Sequence, residues 1–150
     1  MRIRRDDLAG MLVVSLFSIP AIAFMTYDFV FPNITTPSLE KNILVAFLLA
    51  ILFGMPSGYL LKRTDLAILN VLVYVALGYT LAVVAYSAPF LFYDFEVIFP
   101  GIYFLFFMNR TVIPLMLFVL GGFIGVVVGE LLRDSIDTGE TVQWFSKNRL

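Results

Sequence analysis

Acidic side chains at the ends of long apolar segments are the residues of this sequence best suited to chemistry. Asp28 ends one uncharged stretch, and Asp94 and Glu96 follow another. Three carboxylates brought together would supply the oxygen ligands that Ca²⁺ prefers. The sequence therefore offers a candidate outer cation site, for which the simpler alternative is three solvated charges at the membrane boundary.

Two further polar residues lie within or at the end of apolar segments. Asn70 lies near the start of a charge-free run, where an amide can hydrogen-bond across helices. Glu130 precedes Arg133 by three residues, a spacing that puts both on one face of a helix. Glu130 is therefore either half of a boundary ion pair or, given a partner inside a helix bundle, a proton-relay carboxylate.

The residues of common enzyme sites are missing. The chain contains no Cys and no His, which excludes disulfides, thiolate nucleophiles and His-ligated metals. No phosphate-binding loop, nucleophile elbow or zinc motif occurs, and the serines have no base near them in sequence. We therefore expect no enzyme activity and no cofactor, and the absence of a basic, aromatic-interleaved surface argues against nucleic acid as a partner.

Composition points to the membrane. Of the 150 residues, 61% are hydrophobic and 14% charged, against about a quarter charged in soluble domains. The charges cluster and leave four long apolar segments, and 20 residues at about 1.5 Å each cross a hydrocarbon core of about 30 Å. The predicted spans are Leu8–Tyr27, Asn42–Leu61, Leu66–Tyr93 and Val112–Leu132. The sequence thus predicts an all-α integral membrane protein with four transmembrane helices, forming a single domain over residues 1–150.

Two segments of the chain have another interpretation besides a transmembrane helix. The segment Val97–Asn109 is apolar but short and contains Pro100-Gly101, which favours an outer interfacial or re-entrant piece over a span. The Arg-rich start before an apolar run also suits a cleavable signal peptide, although the internal repeat described below requires that run as a retained helix. Residues 134–150 form a polar tail.

Charge asymmetry predicts the orientation. With four spans, both termini and the Lys62-Arg63 connection share one side, which then carries eight Lys and Arg residues against two on the other. The positive-inside rule therefore places both termini in the cytoplasm of a multi-pass cell-membrane protein. Asn33 and Asn109 begin glycosylation triplets, and both lie on the predicted outer side.

Small residues recur at every fourth position in the second and last spans. Residues four apart share one face of a helix, and a face without side chains lets two membrane helices approach closely. We therefore predict that these two helices meet along their small-residue faces. The predicted packing residues are Ala46, Ala50, Gly54 and Gly58 in one helix and Gly121, Gly125 and Gly129 in the other.

The two halves of the chain resemble each other in order. Residues 4–9 resemble residues 62–67, and Tyr-Asp-Phe occurs at 27–29 and again at 93–95. A duplication would make two hairpins, over about residues 4–63 and 62–134, related by an axis along the membrane normal. Convergence is the alternative, because charged residues before a membrane helix are favourable in any sequence.

Strong packing motifs and weak chemistry favour a structural or accessory subunit that packs in the lipid bilayer against itself or a larger membrane partner. The alternative is a homo-oligomeric small transporter or channel with its site between the repeats, and a lipid-modifying enzyme ranks third. A polar cavity would favour transport, whereas a wide apolar lateral surface would favour the subunit. The residues expected to line such a cavity are Asn70, Tyr74, Tyr79, Thr80 and Glu130.

Overall fold

A computed structural model describes residues 5–30, 42–92 and 100–147, with side chains over 5–29, 42–86, 105 and 108–138. These residues form four helices, and each contains a segment long and apolar enough to cross a membrane. The helices are α1 (Arg5–Val30), α2 (Ile43–Leu60), α3 (Thr64–Phe92) and α4 (Pro100–Lys147). The described chain is therefore all-helical with four candidate membrane spans, as expected for a multi-pass membrane protein.

Local hydrogen bonds fix the connection between α2 and α3. Leu61 leaves the helical conformation, with φ −90° and ψ 118°, while its N–H still donates to Ser57 O at 3.1 Å. The N–H of Ala67 donates to Arg63 O at 3.0 Å, which begins α3. Only a short turn around Lys62 separates the two helices, so they run antiparallel.

The helices associate as two parallel pairs, α2 with α4 and α1 with α3. Gly121 meets Ala50 and Gly125 meets Gly54, so residue numbers rise together along α2 and α4. Ser15 bonds Asn70 and Ile22 meets Gly78, so residue numbers also rise together along α1 and α3. The pairs enclose a main apolar core, whose largest buried side chains include Tyr74, Phe118, Ile22, Val71 and Val126. A smaller cluster around Ala23 and Ala82 lies between α1 and α3.

Large apolar side chains also cover the outside of the bundle. Leu12, Leu16 and Phe17 on α1 are each 70% exposed, and Ile113 and Met116 on α4 are about as open. Such a surface is unfavourable in water and suits hydrocarbon. The distribution of exposed side chains therefore agrees with the apolar segments read from the sequence.

Helix α4 differs from its prediction. It runs without a break for 48 residues, and residues 100–109 are its first turns rather than a separate interfacial or re-entrant segment. Pro100 is tolerated as the first helical residue because no intrahelical N–H bond is needed there. The Thr111 hydroxyl donates to Met108 O at 3.0 Å, so a polar triplet expected in a loop bonds within the helix. Residues 97–99 lie outside the described chain.

The far end of α4 also continues past its apolar segment. Residues 134–147, expected as a polar tail, extend the same helix. At about 1.5 Å per residue α4 is about 72 Å long, more than twice the thickness of a hydrocarbon core. One helix therefore carries a candidate membrane span and further turns beyond it.

Candidate functional site

The contact between α2 and α4 brings two backbones together. A Cβ atom added to Gly125 would lie 2.8 Å from Gly54 Cα and 2.9 Å from Met55 N. Real Cβ atoms do not approach backbone atoms this closely, so no side chain fits at this position. All seven residues predicted to pack here are buried on these two helices, namely Ala46, Ala50, Gly54, Gly58, Gly121, Gly125 and Gly129.

The close backbone contact between α2 and α4 recurs on successive turns, both where glycines of α2 face α4 and where glycines of α4 face α2. A Cβ on Gly58 would lie 2.8 Å from Val126 C, and one on Gly129 would lie 2.9 Å from Tyr59 N. A carbonyl oxygen of the facing helix is the nearest atom to the added Cβ at four glycines: Gly54, Gly58, Gly125 and Gly129. The glycine Cα–H groups therefore point at carbonyl oxygens, a weak hydrogen bond of about 0.5–1 kcal/mol each.

Two glycines outside the predicted set form close contacts with other helices. A Cβ on Gly122 would lie 2.5 Å from Val71 Cγ1 on α3, and one on Gly78 would lie 2.8 Å from Ile22 Cβ on α1. Adjacent residues of a helix point about 100° apart, so Gly121 and Gly122 face different neighbours. The double glycine in the sequence was the available signal that α4 contacts two helices at one level.

A hydrogen-bonded polar cluster ties three helices together in the core. The Ser15 hydroxyl on α1 donates to Asn70 Oδ1 on α3 at 3.0 Å. The Asn70 amide donates in turn to Ser57 Oγ on α2 at 3.1 Å. Asn70 and Ser57 are fully buried, so these bonds replace water in a region that has none. The structure therefore gives Asn70 a structural partner on each side, and we call this trio the polar cluster.

Two tyrosine hydroxyls on α3 have different surroundings. The Tyr79 hydroxyl lies 2.9 Å from Met108 Sδ and 3.2 Å from Thr111 Oγ1, both on α4. The Tyr74 hydroxyl is buried beside Gly122 and has no hydrogen-bond partner among the described residues. Tyr79 therefore links α3 to α4, whereas Tyr74 retains hydrogen-bonding capacity inside the bundle.

Arg133 does not pair with Glu130. Its Nη1 donates to Gly58 O at 3.1 Å and to Leu61 O at 2.8 Å, satisfying carbonyls at the end of α2. Its Nε lies 3.5 Å from the Asp134 carboxylate. Glu130 Oε1 is buried with no hydrogen-bond partner among the described residues. The predicted boundary pair is therefore replaced by a cap that α4 supplies to α2.

The predicted outer sites are only partly described. Asp28 is buried at the end of α1, with 2% of its surface exposed, whereas Asp94, Glu96 and Asn33 lie outside the described residues. Within the described ranges no group of three acidic residues is placed to hold a metal ion. Asn109 is exposed on α4 inside a helix rather than in a loop. The cation site and the glycosylation of both asparagines stay predictions.

Two apolar grooves flank an exposed ridge of α2. The α2/α4 groove has a volume of about 390 Å³ and includes Tyr59, Gly129 and Leu132 in its lining. The α1/α2 groove has a volume of about 320 Å³ and includes Phe17 and Ser18. The ridge that both grooves share, called the α2 ridge below, consists of Leu52, Pro56 and Leu60.

Comparison of the chain with protein-family models, with curated proteins and with solved structures finds no match. The site must therefore be judged on its own chemistry. Most of the groups described above are small-residue faces, neutral hydrogen bonds, a helix cap and apolar grooves. Such groups hold helices together and contact hydrocarbon, and no nucleophile is paired with a base among them.

Proposed function

We propose that the protein is a non-catalytic membrane component, a structural or accessory subunit that packs against a larger membrane protein or a second copy of itself. The observation that carries this proposal is the lining of the two grooves. Neither groove includes any of the five polar residues expected to line a transport path, from Asn70 to Glu130. Their surfaces suit hydrocarbon or apolar side chains instead.

The interior of the bundle supports the same proposal. The α2–α4 contact leaves no space between backbones, and we interpret it as a glycine zipper that holds a rigid scaffold. In the polar cluster, the Asn70 amide is hydrogen-bonded to Ser15 and Ser57 on the neighbouring helices. These bonds restrain the three helices against sliding. In this proposal both termini are cytoplasmic, and the two hairpins derive from a duplication.

Two interior groups favour the alternative, a small homo-oligomeric transporter or channel. The Tyr74 hydroxyl and Glu130 Oε1 are buried without hydrogen-bond partners among the described residues. Polar groups inside a membrane bundle often mark the path of an ion or a proton. This alternative makes a separate prediction, namely movement of a proton or another cation across the membrane.

Site-specific photocrosslinking in cells tests the subunit proposal. A benzophenone amino acid is placed singly at exposed positions on each helix: Phe17 on α1, Leu48 on α2, Leu72 on α3 and Met116 on α4. One face should give a protein adduct of discrete mass, while the other faces react only with lipid. Differently tagged copies separate a self-contact from a foreign partner. Lipid adducts alone at all four positions would contradict the proposal.

Proteoliposomes test the alternative. The full chain is reconstituted in vesicles that contain a pH-sensitive dye, and a proton gradient is imposed. A subunit leaves the gradient decaying as slowly as in empty vesicles. Faster decay that is abolished in Glu130→Gln, with the folded fraction unchanged, would support transport instead.

A further inference from the structure

We propose that one anionic phospholipid binds astride the α2 ridge, with an acyl chain in each groove and its phosphate at Lys62. The α2 ridge separates the α1/α2 groove from the α2/α4 groove, and both grooves are apolar along its length. Two parallel grooves beside one ridge match the two chains of a glycerophospholipid. The inference does not depend on the proposed function, because a subunit or a transporter can carry such a lipid.

The grooves have the depth of one leaflet. Leu52 and Leu60 lie eight residues apart along α2, which is about 12 Å at about 1.5 Å per residue. Half of a hydrocarbon core is about 15 Å. The α2 ridge ends one residue before the turn between α2 and α3, so the grooves lie in the leaflet on the side of that turn.

The small residues explain why the grooves exist. Gly129 contributes only backbone to the lining of the α2/α4 groove, and Ser18 is the smallest side chain lining the α1/α2 groove. Pro56 is exposed and lines both grooves, so its ring forms part of the α2 ridge between them. Small residues on α4 and α1 therefore leave room on both sides of the α2 ridge.

The basic residues at this end of α2 favour an anionic headgroup. Arg63 is held by Asp65, to which its Nε donates at 3.1 Å, and this hydrogen bond raises the pKa of Arg63. Arg133 is held by the α2 carbonyls and Asp134. Lys62 is exposed two residues beyond Leu60 and has no ion pair within the described part of the chain. A long ammonium side chain at this position reaches lipid phosphates.

Native mass spectrometry of the purified full chain tests this site. The protein is mixed with equimolar phosphatidylglycerol and phosphatidylcholine that carry the same two acyl chains. One phosphatidylglycerol should remain bound in preference to phosphatidylcholine. Lys62→Gln should lower the ratio of the two adducts about fivefold, which corresponds to about 1 kcal/mol per basic residue, and Lys62→Arg should restore it.

Matched variants separate the headgroup from the grooves. Leu52→Trp adds bulk at a residue that lines both grooves and should lower binding of both lipids. Leu48→Trp, one turn away and exposed to nearly the same extent, should not. The double variant Arg63→Gln/Asp65→Asn removes an ion pair from the same turn and should leave the adduct ratio unchanged. Single-chain lysophosphatidylglycerol should bind more weakly than the two-chain lipid.

Three results would overturn the proposal. They are equal binding of the two headgroups, an adduct ratio unaffected by Lys62→Gln, and the same lipid binding by Leu52→Trp and Leu48→Trp. Each variant is first shown to have the wild-type melting temperature, so that lost binding is not lost folding. The photocrosslinking result on partner proteins is independent of all three.

Discussion

The two parallel helix pairs of the bundle are held by different means. Between α2 and α4 the contact is backbone to backbone, with carbonyl oxygens facing glycine Cα–H groups. Between α1 and α3 side chains take a larger part, since Gly78 meets the Ile22 side chain as well as Ile19 O, and Asn70 accepts a hydrogen bond from Ser15. A backbone cannot move aside, whereas a side chain can change rotamer. The first pair should therefore tolerate substitution far less than the second.

Replacing Gly125 with Ile should have the largest effect. The new side chain would overlap Ile51 O, Gly54 Cα and Met55 N, none of which can yield without separating the helices. We expect a loss of about 3 kcal/mol or more in the free energy of unfolding in bicelles. Val127→Ile adds bulk on the same helix at an exposed position and should change little. Equal stability of the two variants would mean that the α2–α4 contact is misassigned.

Gly122→Ala should cost less, about 2 kcal/mol, and should be repairable. The added methyl meets Val71 Cγ1, the end of a side chain. The double variant Gly122→Ala/Val71→Ala should therefore regain part of the lost free energy of unfolding. The same Val71→Ala change should give no relief to Gly54→Ala, whose methyl meets the backbone of α4. Rescue of both glycine variants would contradict the distinction between the two kinds of contact.

Asn70→Leu should cost about 1 kcal/mol, because it removes both hydrogen bonds of the polar cluster while keeping most of the side-chain volume. A double-mutant cycle with Ser57→Ala should give a coupling energy of about 0.6 kcal/mol in the free energy of unfolding. Leu69→Ala, on the exposed face of α3, serves as the control. A coupling energy of zero would show that the 3.1 Å bond between Asn70 and Ser57 contributes nothing.

Arg133→Gln should have the smallest effect, roughly 0.5–1 kcal/mol in the same measurement. The shorter side chain cannot place a cation on the carbonyls of Gly58 and Leu61. Arg63→Gln removes an exposed charge that bonds only within its own turn, and it should be closer to neutral. Identical losses for the two variants would argue against a special role for the cap.

The difference between the two pairs also explains what the sequence could predict. The small residues of α2 occur at every fourth position, and residues four apart share one face of a helix. The buried face of α2 can therefore be predicted from the sequence alone. The polar cluster joins residues 13 and 55 positions apart on three helices. Nothing in the spacing of Ser15, Ser57 and Asn70 indicates this meeting, because it depends on how far α1 is displaced along α3.

The length of α4 was underestimated for a related reason. Asn109-Arg110-Thr111 is polar and carries a glycosylation pattern, and both features are typical of loops. Polar residues nevertheless cost a helix only a few tenths of a kcal/mol each, and Thr111 recovers a hydrogen bond to Met108 O. Spacing also predicted the pair of Arg133 with Glu130, because residues three apart share a helix face. The sequence does not show that the end of α2 lies beside Arg133, which binds the α2 carbonyls instead.

The hydrogen bonds from Arg133 to the end of α2 have a mechanical consequence. On one side of Arg133, α4 touches α2 at Gly125 and Gly129; on the other side, α4 continues as a helix to Lys147. A force applied to that part of α4 reaches the last carbonyls of α2 at once, so α2 and α4 shift as one rigid body. Relative movement within the bundle is then left to small side-chain adjustments between α1 and α3, within the limit set by the hydrogen bond between Ser15 and Asn70.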